Sequence, residues 1–135
     1  MRVAFWAGIA GVALAGLVAA CAPGTTIASG HRDYMTLCAD CHGPLGKGDG
    51  PMAAGLDQRP ADLTTIVARN DGAFPKARLM SHIYGFTMGR GDTPMPAFGD
   101  LLDGATVLYD SGDGIATPTP ARLVGLIEYV EGLQE

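Results

Sequence analysis

The sequence predicts a small all-α domain, and three observations carry that expectation. Leu123, Leu126, Ile127 and Val130 repeat at i, i+3, i+4 and i+7, one apolar stripe of a final helix over 120–133. Gly30, Tyr34 and Cys38 recur at four-residue spacing, so they share one face of an earlier helix. Between them Pro75 to Tyr84 has helical character, with Ala77, Met80 and Tyr84 as a stripe and Gly85 as its stop.

The chain has 135 residues, enough for one domain. Its start reads differently from the rest. Met1-Arg2 is positive, Val3 to Ala20 carries no charge, and residues 18–21 read Val-Ala-Ala-Cys. A positive start, an apolar run and a small-residue exit describe a secretory signal over 1–20. With Cys21 as the first mature residue, the pattern resembles a bacterial lipoprotein signal, which implies lipidation of the Cys21 thiol. Two other readings stay open: a spare thiol, and an uncleaved helix of about 27 Å, marginal for a bilayer. Either anchor leaves the remainder on the far side of the inner membrane. Beyond residue 20 the chain carries 8 basic and 14 acidic side chains, a net charge of −6. So acidic a surface is a poor nucleic-acid binder, since phosphates need cations.

Residues 21–29 are small and polar and read as a tether of at most about 30 Å. Ser29 is the expected N-cap of a first helix from Gly30 to Cys38, with the domain proper over 30–135. The next residues are Cys38-Ala39-Asp40-Cys41-His42. C-x-x-C-H is the attachment pattern of a c-type haem, each thiol adding across a vinyl group and the histidine lying beside the iron. Zinc would need four ligands, and the one other cysteine is Cys21 at the anchor. A thioredoxin-like pair would need a βαβ context, which is missing.

Gly30-x-x-x-Tyr34-x-x-x-Cys38-x-x-Cys41-His42 makes the chain resemble a class I cytochrome c, a mono-haem helical domain. The resemblance covers roughly residues 29–135. It implies a first helix crossing the last, with Gly30 allowing close approach and Gly125 and Tyr129 on the partner helix. It implies one covalent haem held by Cys38 and Cys41, with His42 as proximal iron ligand. The loop 43–51 would wrap the proximal side, and a proline carbonyl, Pro51 or alternatively Pro44, would accept the free N–H of His42. Arg59, in Arg59-Pro60-Ala61-Asp62-Leu63-Thr64, is a candidate partner for a haem propionate or simply a solvated surface residue.

The iron's second position either stays open for a small molecule or takes a protein ligand, for which the candidates are Met52, Met80, His82, Met88 and Met95. Met95 stands 53 residues after His42, between two prolines that stiffen its loop. The resemblance places the distal methionine in such a Met-Pro context. His82 sits in the helical stretch after Pro75 and reads as a packing or surface residue, Met80 as core, and Met88 lacks a bracing proline.

The pattern departs from its relatives after Phe98. Asp103-Gly104 breaks the chain, Ala105 to Asp110 is β-leaning, Ser111 to Gly114 is a turn, and Ile115 to Thr117 reads as a returning strand. A hairpin-like insertion is therefore expected over 103–117, either a local elaboration or an acidic docking feature. Thr119 is then the expected N-cap of the last helix, with Pro120 its first residue.

These features point to a single-electron carrier, not an enzyme, on the periplasmic side of a membrane. The resemblance implies partners such as a terminal oxidase, a quinol-oxidising complex or a periplasmic dehydrogenase. Two rivals belong to other classes: a haem domain that binds a gas or peroxide, and a fixed subunit of a membrane complex.

Overall fold

The computed structural model describes residues 27–86 and 94–135. Residues 1–26 lie outside them, with the signal, Cys21 and most of the tether, and so does Met88. The chain forms α1 (Ile27–Leu37), α2 (Ala39–His42), α3 (Lys76–Tyr84), α4 (Gly99–Leu102), β1 (Thr106–Asp110), β2 (Ala116–Pro120) and α5 (Ala121–Glu131). Three short 3-10 turns, at Ala53–Gly55, Leu63–Thr65 and Ala68–Asn70, carry the chain between α2 and α3. This is the expected helical architecture with a two-stranded elaboration before the last helix.

The packing of α1 against α5 organises the core. The apolar stripe of α5 is buried as its spacing requires, Leu123, Leu126, Ile127 and Val130 all lying inside together with Val124. Burying side chains of this size stabilises the fold by about 1.5–3 kcal/mol each. From α1 comes Tyr34, fully buried, its ring 5.1 Å from that of Tyr129. Gly30 meets Gly125 backbone to backbone: a Cβ on Gly30 would lie 2.5 Å from the Gly125 carbonyl carbon and closer still to its oxygen. The close approach expected of the pair is thus observed.

One strong tie between these helices had no signature in the local pattern. Asp33 of α1, 8 % exposed, is held by Arg122 of α5 through Nη2 to Oδ1 at 2.6 Å and Nε to Oδ2 at 3.1 Å. The same guanidinium donates from Nη1 to the Leu101 carbonyl, which ties α4 to the pair.

Two helix starts differ from expectation. The helix containing Gly30 already includes Ile27, so Ser29 lies within α1 and does not cap it. The apolar and small residues Ile27 and Ala28 extend the turn at little cost, and serine tolerates a helical position. Thr119 does not cap α5 either, and Pro120 stands at its N-cap, not inside it. Pairing with β1 draws both into an extended strand, with Val107 opposite Thr119 and Thr106 opposite Pro120. Even the first residue of α5 stays tied to the hairpin, Ala121 N–H donating to the Ala105 carbonyl at 2.8 Å.

The hairpin appears where it was expected and runs three residues further, to Pro120. Val107 and Tyr109 turn toward the core while Thr106, Leu108 and Asp110 face solvent. The turn is built by its own carboxylates. Asp110 Oδ1 accepts from the N–H groups of Gly112, Asp113 and Gly114, and Asp113 Oδ1 accepts from Ile115. Those backbone donors hold the Asp110 carboxyl below the usual carboxylate range. Asp103 is also occupied, accepting from the Tyr84 hydroxyl at 2.5 Å. Asp103, Asp110 and Asp113 thus have structural work irrespective of any partner.

α3 begins after Pro75 and ends at Gly85, whose φ of 106° is open to glycine at little cost. Met80 is buried, as expected of a core residue, while Ala77 is exposed and Leu79 and Ile83 pack against the core in its stead. A cleft lined by Met80, Tyr84, Phe86, Pro118 and Leu123 separates α3 from β2.

Candidate functional site

Cys38 closes α1, and Cys41 and His42 fall on the single turn of α2 just beyond it. Both thiols are free, with no disulfide between them. Cys38 is buried and its thiol is pushed up to about 12, first by burial and then by the charges of Asp33 and Cys41. A buried neutral thiol beside a half-buried one, three residues apart, forms an anchor of two sulfurs on one helical turn.

His42 is oriented by its second nitrogen. Nδ1 lies 2.9 Å from the carbonyl oxygen of Ala61. With Nδ1–H donating there, Nε2 carries the lone pair and is the ring nitrogen left for a metal to bind. The expected acceptor was Pro51 or Pro44, and neither fills that role. The turn after His42 folds back on α2 instead: Gly48 N–H donates to the His42 carbonyl, Gly50 N–H to that of Cys41 and Met52 N–H to that of Asp40. Pro51 is thereby held against the backbone of α2, and the 59–63 segment comes beneath the imidazole.

That segment is fastened to the loop by two contacts. Leu63 N–H donates to the Gly46 carbonyl at 2.7 Å, and Arg59 donates from Nε to the Gly48 carbonyl at 3.2 Å. A further Arg59 contact reaches the Lys47 carbonyl at 3.4 Å. Arg59 therefore braces the loop from outside, a role that neither of its expected readings included.

Tyr34 supplies a support beyond the packing expected of it. Its hydroxyl donates to the carbonyl of Gly43, the residue after His42, at 2.6 Å. Burial pushes its ionisation far above the ordinary tyrosine range, so the O–H remains a donor at all ordinary pH. A tyrosine one turn before Cys38 thus fixes the exit of the motif as well as the helix contact.

Met95 lies in the irregular stretch 94–98 and is half-buried. The residues just after it set its position. Phe98 N–H donates to the Ile83 carbonyl at 2.9 Å, and Gly99 sits so close to Tyr84 that a Cβ would fall 2.6 Å from its carbonyl oxygen. The end of α3 therefore fixes the end of the Met95 segment. His82 is half-buried on α3 and Met52 is exposed in the turn after Pro51. Among the described residues no cluster of three or more His, Cys, Asp or Glu side chains could hold a metal ion by itself. The residues fit a covalently held haem, because two free thiols and an imidazole with one nitrogen committed to a carbonyl form its attachment set.

The described helices include none long and apolar enough to cross a membrane. The cytochrome c family model matches residues 27–107, from the first turn of α1 into β1. No curated protein and no solved structure matches the chain at significant similarity. The match covers more than half of the sequence and contains the thiol pair, the imidazole and Met95: the chain belongs to the cytochrome c family and is an electron-transfer protein with covalently bound haem c.

Proposed function

We propose that this protein carries single electrons between redox partners on the periplasmic side of a bacterial membrane. In this reading Cys38 and Cys41 hold the haem as thioethers, His42 is the proximal iron ligand, Met95 is the distal one, and lipid on Cys21 is the anchor. The observation that supports it best is the His42–Ala61 contact at 2.9 Å, which leaves Nε2 as the coordinating atom. Haem iron supplies the one-electron Fe(III)/Fe(II) exchange. The chain's own residues do the rest. Tyr34, Gly48 and Gly50 fix the backbone around His42. The thioether of Met95 is soft and uncharged, so it favours the reduced state and raises the potential.

Met95→Ala should remove the weak near-infrared sulfur-to-iron band of the oxidised protein and lower the potential. Ferrous wild type should resist carbon monoxide, and the variant should bind it at once. Immediate binding by wild type would sink the carrier reading and favour a small-ligand haem domain. Cys21→Ser should move the protein from the membrane to the soluble fraction, and unchanged retention would rule out the lipid anchor.

The partners we propose are a terminal oxidase, a quinol-oxidising complex or a periplasmic dehydrogenase with a basic docking face. With 14 acidic residues against 9 basic ones in the whole chain, like charges would slow association with an acidic face.

A further inference from the structure

The two edges of the hairpin are chemically unequal. The register sets Thr106 opposite Pro120, Leu108 opposite Pro118 and Asp110 opposite Ala116. Ala121 N–H donates to the Ala105 carbonyl, which makes 105 and 121 a hydrogen-bonded pair. In an antiparallel ladder such pairs alternate with pairs whose N–H and C=O groups point outward. The outward groups on β2 therefore belong to Ala116, Pro118 and Pro120, and two of those three residues have no N–H. β2 also borders the cleft toward α3. Its edge is closed to another strand by the device that natural sheets use, proline on the edge.

On β1 the outward groups belong to Thr106, Leu108 and Asp110. All three residues are exposed, and none of their N–H groups has a backbone partner among the described residues. No proline, lysine or arginine interrupts this edge. At its centre Leu108 is 73 % exposed, with Ile115 at 62 % near the turn. Asp110 lies on this edge and Asp113 in the adjoining turn, and neither has an ion-pair partner among the described residues. The family match stops at residue 107, within β1.

We propose that the outer edge of β1 is a strand-addition site for an extended segment of a basic partner protein, an apolar residue opposite Leu108 and lysine or arginine opposite the acidic positions. Main-chain bonds to residues 106, 108 and 110 supply the affinity and the alternating side chains supply the choice of partner. A second copy of this chain fits less well, because it would bring the same acidic flank against itself. The proposal is independent of the iron ligand set, since no residue of the attachment site takes part.

The test uses the full-length, haem-loaded protein and a fluorescent capped peptide of sequence Lys-Val-Leu-Val-Lys, followed by anisotropy and by hydrogen exchange. Binding should slow exchange at the amides of 106, 108 and 110, weaken as salt is raised, and be absent for Glu-Val-Leu-Val-Glu. Leu108→Pro is the decisive variant. It removes an outward N–H but no bond to β2, as Pro118 does on the opposite strand, and should weaken binding about tenfold. Leu108→Ala keeps the N–H and should weaken it by no more than about threefold. Thr106→Pro, chosen by the same logic, repeats the test should Leu108→Pro disturb the hairpin. Equal binding by wild type and both proline variants would overturn the proposal, as would binding of the acidic peptide with equal strength. Dimerisation that rises with concentration and disappears in Leu108→Pro would overturn the choice of partner and assign the edge to a second copy.

Discussion

Gly30→Ala should cost about 3–5 kcal/mol and leave the protein largely unfolded at growth temperature. One methyl group is the whole change, yet it would be placed into the backbone of Gly125, not against a side chain that could turn away. Relief requires α1 and α5 to separate. That separation would loosen the contacts of Tyr34, Leu126 and Ile127, each almost completely buried. Urea unfolding followed by far-ultraviolet circular dichroism measures the loss. Gly55→Ala is the matched comparison, because a Cβ there meets nothing within 4 Å. It should be neutral or stabilising by up to about 1 kcal/mol through the unfolded chain. Equal stability of the two variants would show that the helices do not meet at Gly30.

Arg122→Ala has the second-largest expected effect, about 2–4 kcal/mol. It leaves the Asp33 carboxylate buried without its cation and the Leu101 carbonyl without its donor. The figure sits below that of a fully enclosed pair because the Arg122 side chain is 47 % exposed, and water screens part of the attraction. Asp33→Ala combined with Arg122→Ala should recover a measurable part of the loss, since the stranded charge is then gone. If each single variant is as stable as wild type by the same urea assay, the pair is only a surface contact.

The helix contact was legible because it is written in local spacing. Gly30, Tyr34 and Cys38 share one face by periodicity alone, and Gly125 and Tyr129 repeat the pattern. The hairpin was legible for a similar reason, the Ser111–Gly114 turn lying between two stretches of strand-forming residues. What could not be read depends on partners distant in sequence. Asp33 and Arg122 stand 89 residues apart, and nothing near either names the other. The histidine acceptor was misplaced by 10 residues, Ala61 for Pro51, because loop closure decides which carbonyl passes the imidazole. Thr119 has the chemistry of a cap, but a ladder partner at Val107 outweighed that local preference. Only the three-dimensional arrangement could make Arg59 a brace for the loop, since its acceptors, Lys47 and Gly48, precede it by 12 and 11 residues.

The Asp33–Arg122 tie also explains where a chain of this kind can grow. Its two ends stand 89 residues apart, and closing so long a loop carries an entropic cost. That cost rises only with the logarithm of length. The span of 89 residues already contains the stretch 103–117, which raises the cost by only about 0.2 kcal/mol over a span without it. Elaborations inserted between the crossing helices are therefore nearly free during folding, whereas a single methyl group at the crossing is not. Change in such a domain is expected to collect in the middle of the chain, while the ends that close the loop stay fixed.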